Sequence, residues 1–253
     1  MAASKIAIIT GGSRGIGRDA VLRLAGRGVR SLFTYNANRA EADKVVALAA
    51  EAGAAAIALQ LDVADSTAFA GFAERVRGAL AEFGVARFDY LVNNAGTSSA
   101  ATLETITEAE MDALYAVHFK GMLFLTKALL PLMNDGGRIV NISSGLARFA
   151  MPGRIGYGSI KAAVEALTRY MAVELGSRRI AVNVVAPGAI ATDFSGGMVR
   201  DNPMVNKAVA DVTALGRVGT PDDVGPVIAA LLASDDFGWV NAQRIEVAGG
   251  IHI

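Results

Sequence analysis

Two hydrophobic periods alternate along the chain. Short runs of consecutive apolar residues read as strands buried on both faces. Between them lie longer stretches in which apolar residues recur every three or four positions, as in helices with one buried side. Ile6 to Thr10 is the first apolar run, and Gly15 to Gly26 follows as a helix with Ile16, Ala20, Leu22 and Leu24 mostly on one side. Leu32 to Tyr35 predicts a second strand, Arg39 to Ala52 a helix ended by Gly53, and Ile57 to Asp62 a third strand. Ser66 is placed to cap the next helix, where Phe69, Phe72, Val76, Leu80 and Phe83 keep helical spacing. Asp89 to Asn93 predicts a fourth strand; Thr107-x-x-Glu110 is a capping-box signature opening a long helical region that Gly136-Gly137 ends. A strand at Arg138 to Ser143, a helix from Tyr157 to Leu175 and a strand at Ala181 to Ala186 come next. Thr220-Pro221-Asp222-Asp223 supplies a cap, a proline and first-turn acids for a further helix, before a last strand at Arg244 to Val247.

This order predicts an α/β fold: a single doubly wound parallel β-sheet, Rossmann-like, with helices on both faces. No repeat, low-complexity tract or linker interrupts it, so residues 1–253 read as one domain. Between the first strand and helix stands Thr10-Gly11-Gly12-Ser13-Arg14-Gly15-Ile16-Gly17. Glycines there let a pyrophosphate approach the backbone, and the helix N-terminus behind offers free N–H groups. An ordinary tight turn is the alternative, but the position between strand and helix favours a dinucleotide. NAD sites usually place a carboxylate at the end of the second strand to hold the adenosine ribose, whereas NADP sites carry an arginine nearby. The stretch Thr34-Tyr35-Asn36-Ala37-Asn38-Arg39 has no acid before Glu41, and Arg14 and Arg39 can flank a 2′-phosphate unless both are merely solvated. NADP(H) is therefore favoured over NAD(H).

Composition narrows the chemistry. Lys+Arg and Asp+Glu both number 24, so no electrostatic footprint for nucleic acid or an anionic membrane stands out. The chain has no cysteine and two histidines, His118 and His252, which removes thiolate chemistry and predicts no metal site. Met1-Ala2-Ala3-Ser4-Lys5 lacks an export signal, and Met122 to Met133, carrying Lys127 and Pro131, is too short and too charged to span a bilayer. A soluble, cytoplasmic protein is expected, acting on a small molecule.

Tyr157 and Lys161 stand four apart in a helical segment, on one face, and Ser144 lies just beyond a strand, at the sheet edge where such folds bind ligands. With TGGSRGIG at 10–17, Asp62-Val63, Asn93-Asn94-Ala95-Gly96, and Pro187-Gly188 followed by Thr192, this set resembles the short-chain dehydrogenase/reductase family over nearly the whole chain. The resemblance implies hydride transfer between NADP(H) and a carbonyl or secondary alcohol. It implies Tyr157 as general acid or base, Lys161 as holder of the nicotinamide ribose and depressor of the Tyr157 pKa, and Ser144 as hydrogen-bond donor to the substrate oxygen. By the same resemblance Asp62 and Val63 meet the adenine, Asn93 to Gly96 line the groove, and Ile190 and Thr192 meet the carboxamide. Asp62 could equally cap a helix, and Asn93 to Gly96 could simply close a strand.

One position departs from the family. Where members carry an Asn that holds a water on the proton path, this chain has His118, in Val117-His118-Phe119-Lys120-Gly121. Either the imidazole takes part in the relay or it is a packed histidine satisfied by a carbonyl. The weakly patterned 193–214 stretch is expected to act as a lid over substrate or to pack on a neighbouring subunit. The resemblance implies a homo-oligomer, a homotetramer or dimer, and the tail Gly249 to Ile253 could reach across its interface. Two rival functions remain: a 3-oxoacyl-(acyl carrier protein) reductase, for which Arg178-Arg179 is suggestive, and a non-catalytic NAD(P) sensor.

Overall fold

Ile6–Ile9 form strand β1, with all four side chains buried. Alternation sends Ile6 and Ile8 to one face of the sheet and Ala7 and Ile9 to the other, and each pair joins a different core. A computed structural model describes residues 5–253. Met1 to Ser4, part of the segment read as lacking an export signal, lie outside the described residues. Strands β2 (Arg30–Tyr35), β3 (Ala56–Gln60), β4 (Phe88–Asn93), β5 (Met133–Ile142), β6 (Ala181–Pro187) and β7 (Arg244–Val247) complete one seven-stranded sheet. The order is β3-β2-β1-β4-β5-β6-β7, parallel at every pairing.

Helices α1 (Gly15–Ala25) and α2 (Arg39–Glu51) cover one face, and α3 (Phe69–Glu82) the other. Next come α4 (Glu108–Tyr115), a π-type turn (Ala116–Gly121), α5 (Met122–Leu129) and α6 (Ile155–Glu174). The short α7 (Met198–Asp201) and α8 (Pro203–Asp211) precede α9 (Pro221–Ala233), which packs beside α1. The order reverses at β1, whose neighbours β2 and β4 lead the chain in opposite directions. The resulting crevice lies at the strands' carboxyl ends, where open α/β sheets take ligands.

The capping box at Thr107 and Glu110 forms as expected, and Thr220 with Asp223 builds a second one. Three expectations change. Asp65, not Ser66, caps the chain ahead of α3, because its carboxylate accepts from the Thr67 N–H and starts a short 3₁₀ turn first. The long helical region ends at Leu132, one residue after Pro131, rather than at Gly136-Gly137. Those glycines lie inside β5, where Gly136 has φ +73° and a Cβ on Gly137 would sit 2.5 Å from the Asp89 carbonyl oxygen of β4. Third, the helical run Glu108–Leu132 spans 25 residues and holds an 18-residue stretch of mean hydropathy 1.3, enough by length and composition to cross a bilayer. Here Leu125 and Leu129 bury against β4 and β5 in the core that α3 and α6 share.

Candidate active site

The glycine turn is tied to the loop after β4 through Thr10. Its hydroxyl accepts from the N–H groups of Asn94 (2.9 Å) and Ala95 (3.0 Å). The Asn94 side chain donates back to the carbonyls of Thr10 (2.9 Å) and Gly11 (3.1 Å). Gly11 and Gly15 take φ values of +65° and +53°, which a side chain would strain. Gly17 has ordinary angles but no room: a Cβ there would collide with the Gly11 carbonyl oxygen and lie 2.5 Å from Asn94 Nδ2.

A cavity of about 820 Å³ opens from this turn. Gly11, Ser13, Arg14, Gly15 and Ile16 line one end, with Tyr35 and Asn36 from the end of β2 and Asp62 and Val63 after β3. Asn94, Ala95 and Gly96 form part of its floor; Pro187, Gly188, Ile190 and Thr192 close it from the β6 side. Asp62 also accepts from the Ala64 N–H at 2.9 Å, so it both lines the wall and ties its own turn. Three expected cofactor residues are not on the wall. Gly17 sits beneath it as packing, and Asn93 is buried against Thr126 and Asn141, to which its amide donates. Arg39 is exposed, pairs with Asp43 at 2.7 Å and lies over the Tyr35 ring. Arg14 is on the wall, with only a long pairing to Asp193 at 3.7 Å.

The centre of the cavity gathers Ser144, Tyr157 and Lys161. Tyr157 and Lys161 project from successive turns of α6, and Ser144 stands just past β5, where its hydroxyl also accepts from the Leu146 N–H. The Lys161 ammonium donates to the Ile142 carbonyl at 2.8 Å and lies 5.6 Å from the Tyr157 ring centroid. Burial pushes the Tyr157 phenol well above its ordinary value, against the opposing pull of a hydrogen bond with Ser144 and the charge of Arg154. Burial also brings Lys161 down to about 7. The lysine was expected to depress the phenol; desolvation instead drives the phenol upward.

His118 lies in the π-type turn, edge-on to Tyr157 with ring centroids 5.5 Å apart. Its Nε2 meets the Thr97 carbonyl at 2.7 Å, and Nδ1 is buried without a hydrogen-bond partner. Burial first, then the Lys161 charge, lowers its pKa to about 3, so the ring is neutral at physiological pH. A Cβ on Gly96 would sit 2.7 Å from His118 Cε1, so the larger ring needs a glycine opposite it.

The far end of the cavity is apolar. Phe194, Met198, Val199, Val205 and Val209 of the 193–214 stretch cover it, and that stretch is largely helical rather than irregular. Ser195 donates to Ser98 at 2.9 Å and fastens the cover to the loop beyond Gly96. Residues that the pattern along the chain did not single out complete the wall: Phe149, Met151, Arg154 and Ile251. The tail folds back on its own chain. Ile251 bridges to Thr213, and Arg148 donates to the carbonyls of Ile251 (2.9 Å) and His252 (3.0 Å). Arg244 binds Glu165 and Glu246 and so braces the strand ends beneath Ser144.

A family model described as enoyl-(acyl carrier protein) reductase matches residues 11–252. The solved structure of a short-chain dehydrogenase/reductase from Serratia marcescens superposes with a TM-score of 0.89 at 33% identity, covering 99% of both chains. This chain belongs to the short-chain dehydrogenase/reductase family. A second member, an uncharacterized oxidoreductase of Methylorubrum extorquens, is 37% identical over 98% of this chain and 97% of its own. A third, an angucycline C-6 ketoreductase solved with bound NADP, superposes with a TM-score of 0.92 at 33% identity, covering 98% of this chain and 96% of that one. This short-chain dehydrogenase/reductase is an oxidoreductase that transfers hydride between a nicotinamide cofactor and a carbonyl or secondary alcohol.

Proposed function

We propose that the protein works as a ketone reductase that prefers NADPH to NADH and takes an apolar substrate under the 193–214 cover. The observation that carries this is the convergence of Ser144, Tyr157 and Lys161 in a cavity running from the glycine turn to an apolar end. The turn fits a dinucleotide, since glycines with positive φ leave the backbone open to a pyrophosphate and no carboxylate stands at the end of β2. When bound, NADPH supplies the hydride to the carbonyl carbon. Tyr157 donates its phenolic proton to the carbonyl oxygen, and Ser144 donates a hydrogen bond to the same oxygen as charge develops there. Lys161 holds the ribose hydroxyls and returns a proton to Tyr157.

Arg14 is the residue that discriminates between the cofactors, since Arg39 is engaged by Asp43. A charge-assisted contact to a 2′-phosphate contributes about 1.5–3 kcal/mol, so Arg14→Ala raises the KM for NADPH roughly tenfold or more. The KM for NADH should move little. Equal shifts for both cofactors would remove Arg14 from this role.

His118 acts as a positioning residue that holds the Thr97 carbonyl and the Tyr157 ring, not as an imidazolium relay. Its depressed pKa leaves it neutral at every pH well above about 3, so no inflection from it should appear in kcat/KM between pH 5 and 8. His118→Asn should keep turnover within about tenfold with an unchanged profile shape in that range. A wild-type inflection near ~6.5 that vanishes in the variant would show the relay instead.

The cytoplasm is the expected compartment, and a dimer or tetramer the expected assembly, measurable by sedimentation. The carrier-protein alternative keeps half of its supporting feature: Arg178 pairs with Asp135 and donates to the carbonyls of Leu130 and Met133, whereas Arg179 is exposed. The sensor alternative is tested together with the reductase, by NADPH consumption over a ketone panel.

A further inference from the structure

At the cofactor end of the cavity Arg14 has a long pairing to Asp193 at 3.7 Å, and Asp62 accepts from the Ala64 N–H. In the centre Lys161 donates to the Ile142 carbonyl. Arg154 is a further cation on the wall. It lines the cavity and is half-buried, and among the described residues no carboxylate comes within 4.0 Å of it. Its one printed hydrogen bond runs from Nη1 to the Ser99 carbonyl at 3.1 Å, while a guanidinium carries five N–H donors. A partly desolvated cation without a counter-charge is costly to keep.

Place and surroundings give this cation a use. Arg154 is the residue immediately before α6, one turn ahead of Tyr157. It lines the same cavity as Tyr157, and its charge favours the Tyr157 phenolate. The α6 N-terminus it adjoins has no side-chain cap and no acid in its first turn, so the helix dipole adds positive potential in the same place. The bridge between Arg154 and Ala101 anchors its backbone to the loop that also carries Ser98, the partner of Ser195.

We propose that Arg154 is a specificity-determining residue that binds a carboxylate on the substrate, so that the preferred ketones are apolar keto acids. The carbonyl lies at Ser144 and Tyr157, the hydrocarbon or aromatic body lies against Phe194 and the rest of the cover, and the carboxylate pairs with the Arg154 fork. The planar guanidinium suits this task, because it can grip a carboxylate through two parallel hydrogen bonds. The inference rests on the reductase reading above.

The test compares each of two keto acids, 4-oxo-4-phenylbutanoate and 5-oxo-5-phenylpentanoate, with its own methyl ester. Turnover is measured with NADPH, and binding by calorimetry to the chain saturated with NADP⁺. The readout is the acid-to-ester ratio, which cancels any effect of a variant on the chemical step common to both. Wild-type protein should favour at least one acid by roughly tenfold or more, the size expected of one charge-assisted pair. Arg154→Met should bring that ratio to about one, and Arg154→Lys should keep part of it. Equal handling of acid and ester by the wild type, absence of binding by all four compounds, or a preference that survives in Arg154→Met overturns the proposal. Esters reduced as well as acids would sink the carboxylate site and leave the reductase standing. Acids bound through Arg154 but never reduced would do the reverse.

Discussion

Tyr157→Phe should lower kcat by roughly 10³-fold while the protein folds and still binds NADPH, because the substitution removes one hydroxyl and nothing else. The Phe ring keeps the edge-on contact with His118 and the tilted one with Phe194 at 5.9 Å. What it loses is the only group in the centre able to give a proton to a carbonyl oxygen at neutral pH. Lys161, brought down to about 7, is directed at the Ile142 carbonyl, and His118 is neutral and held by Thr97. The Ser144 hydroxyl can stabilise charge but is far too weak an acid to replace the phenol. Stopped-flow NADPH oxidation with a ketone that the wild type consumes, alongside a fluorescence titration of NADPH, checks both halves. A variant that retains a tenth of wild-type turnover would assign the proton to another donor.

Gly17→Ala should cost both stability and cofactor affinity although Gly17 is not on the cavity wall. The added Cβ collides with the Gly11 carbonyl and crowds Asn94 Nδ2, and neither neighbour is a flexible tip. The carbonyl belongs to the turn itself, and the Asn94 amide is fixed by its bonds to Thr10 and Gly11. Overpacking of this kind costs about 1–3 kcal/mol. At about 2–4 °C per kcal/mol for a chain of this size, the melting temperature should fall by several degrees. Relief of the clash moves the Gly11 segment and with it the N–H groups that face a pyrophosphate, so NADPH should bind about tenfold more weakly or worse. Calorimetric melting and NADPH titration measure the two effects. Unaltered affinity would mean that the turn yields without consequence.

The strands were legible because continuous apolar runs are what a doubly covered parallel sheet requires, and each predicted strand is present with its ends moved by a few residues. The capping box at Thr107 and Glu110 was legible for a similar reason, its partners being three residues apart, and the cap at Thr220 was legible although its pairing with Asp223 as a second box was not. Errors arose where a local signal met a distant one. Gly136-Gly137 looks like a helix terminator, but Pro131 had already stopped the helix, and the close approach of Asp89 in β4 is what requires a glycine at 137. The pattern of 193–214 is weak because its apolar residues face a cavity rather than a continuous core.

At the site, Ser144, Tyr157 and Lys161 could be picked out because two lie one helical turn apart and the third follows a strand. Arg14 and Arg39 looked equivalent in the sequence, and only the fold separates them: Asp43, one turn along α2, engages Arg39, while Arg14 is left on the wall. His118 carried two readings, and the fold adds the Thr97 carbonyl against its Nε2, a contact that no pattern along the chain announces. Arg154 gave no signal at all, and the tail that carries Ile251 was read toward a subunit interface rather than toward this wall, since nothing near either in the chain marks a binding wall.

The order of apolar runs and turns, with the spacing of a few polar residues, was sufficient by itself to specify the doubly wound sheet, the glycine turn and the gathering of Ser144, Tyr157 and Lys161. These depend on periodicity and on neighbours within a helical turn. Tertiary structure alone decided which charges are answered, which way burial drives the Tyr157, Lys161 and His118 pKa values, and what walls the substrate end. Desolvation and pairing between groups far apart in the chain set those properties, and neither exists until the chain has folded.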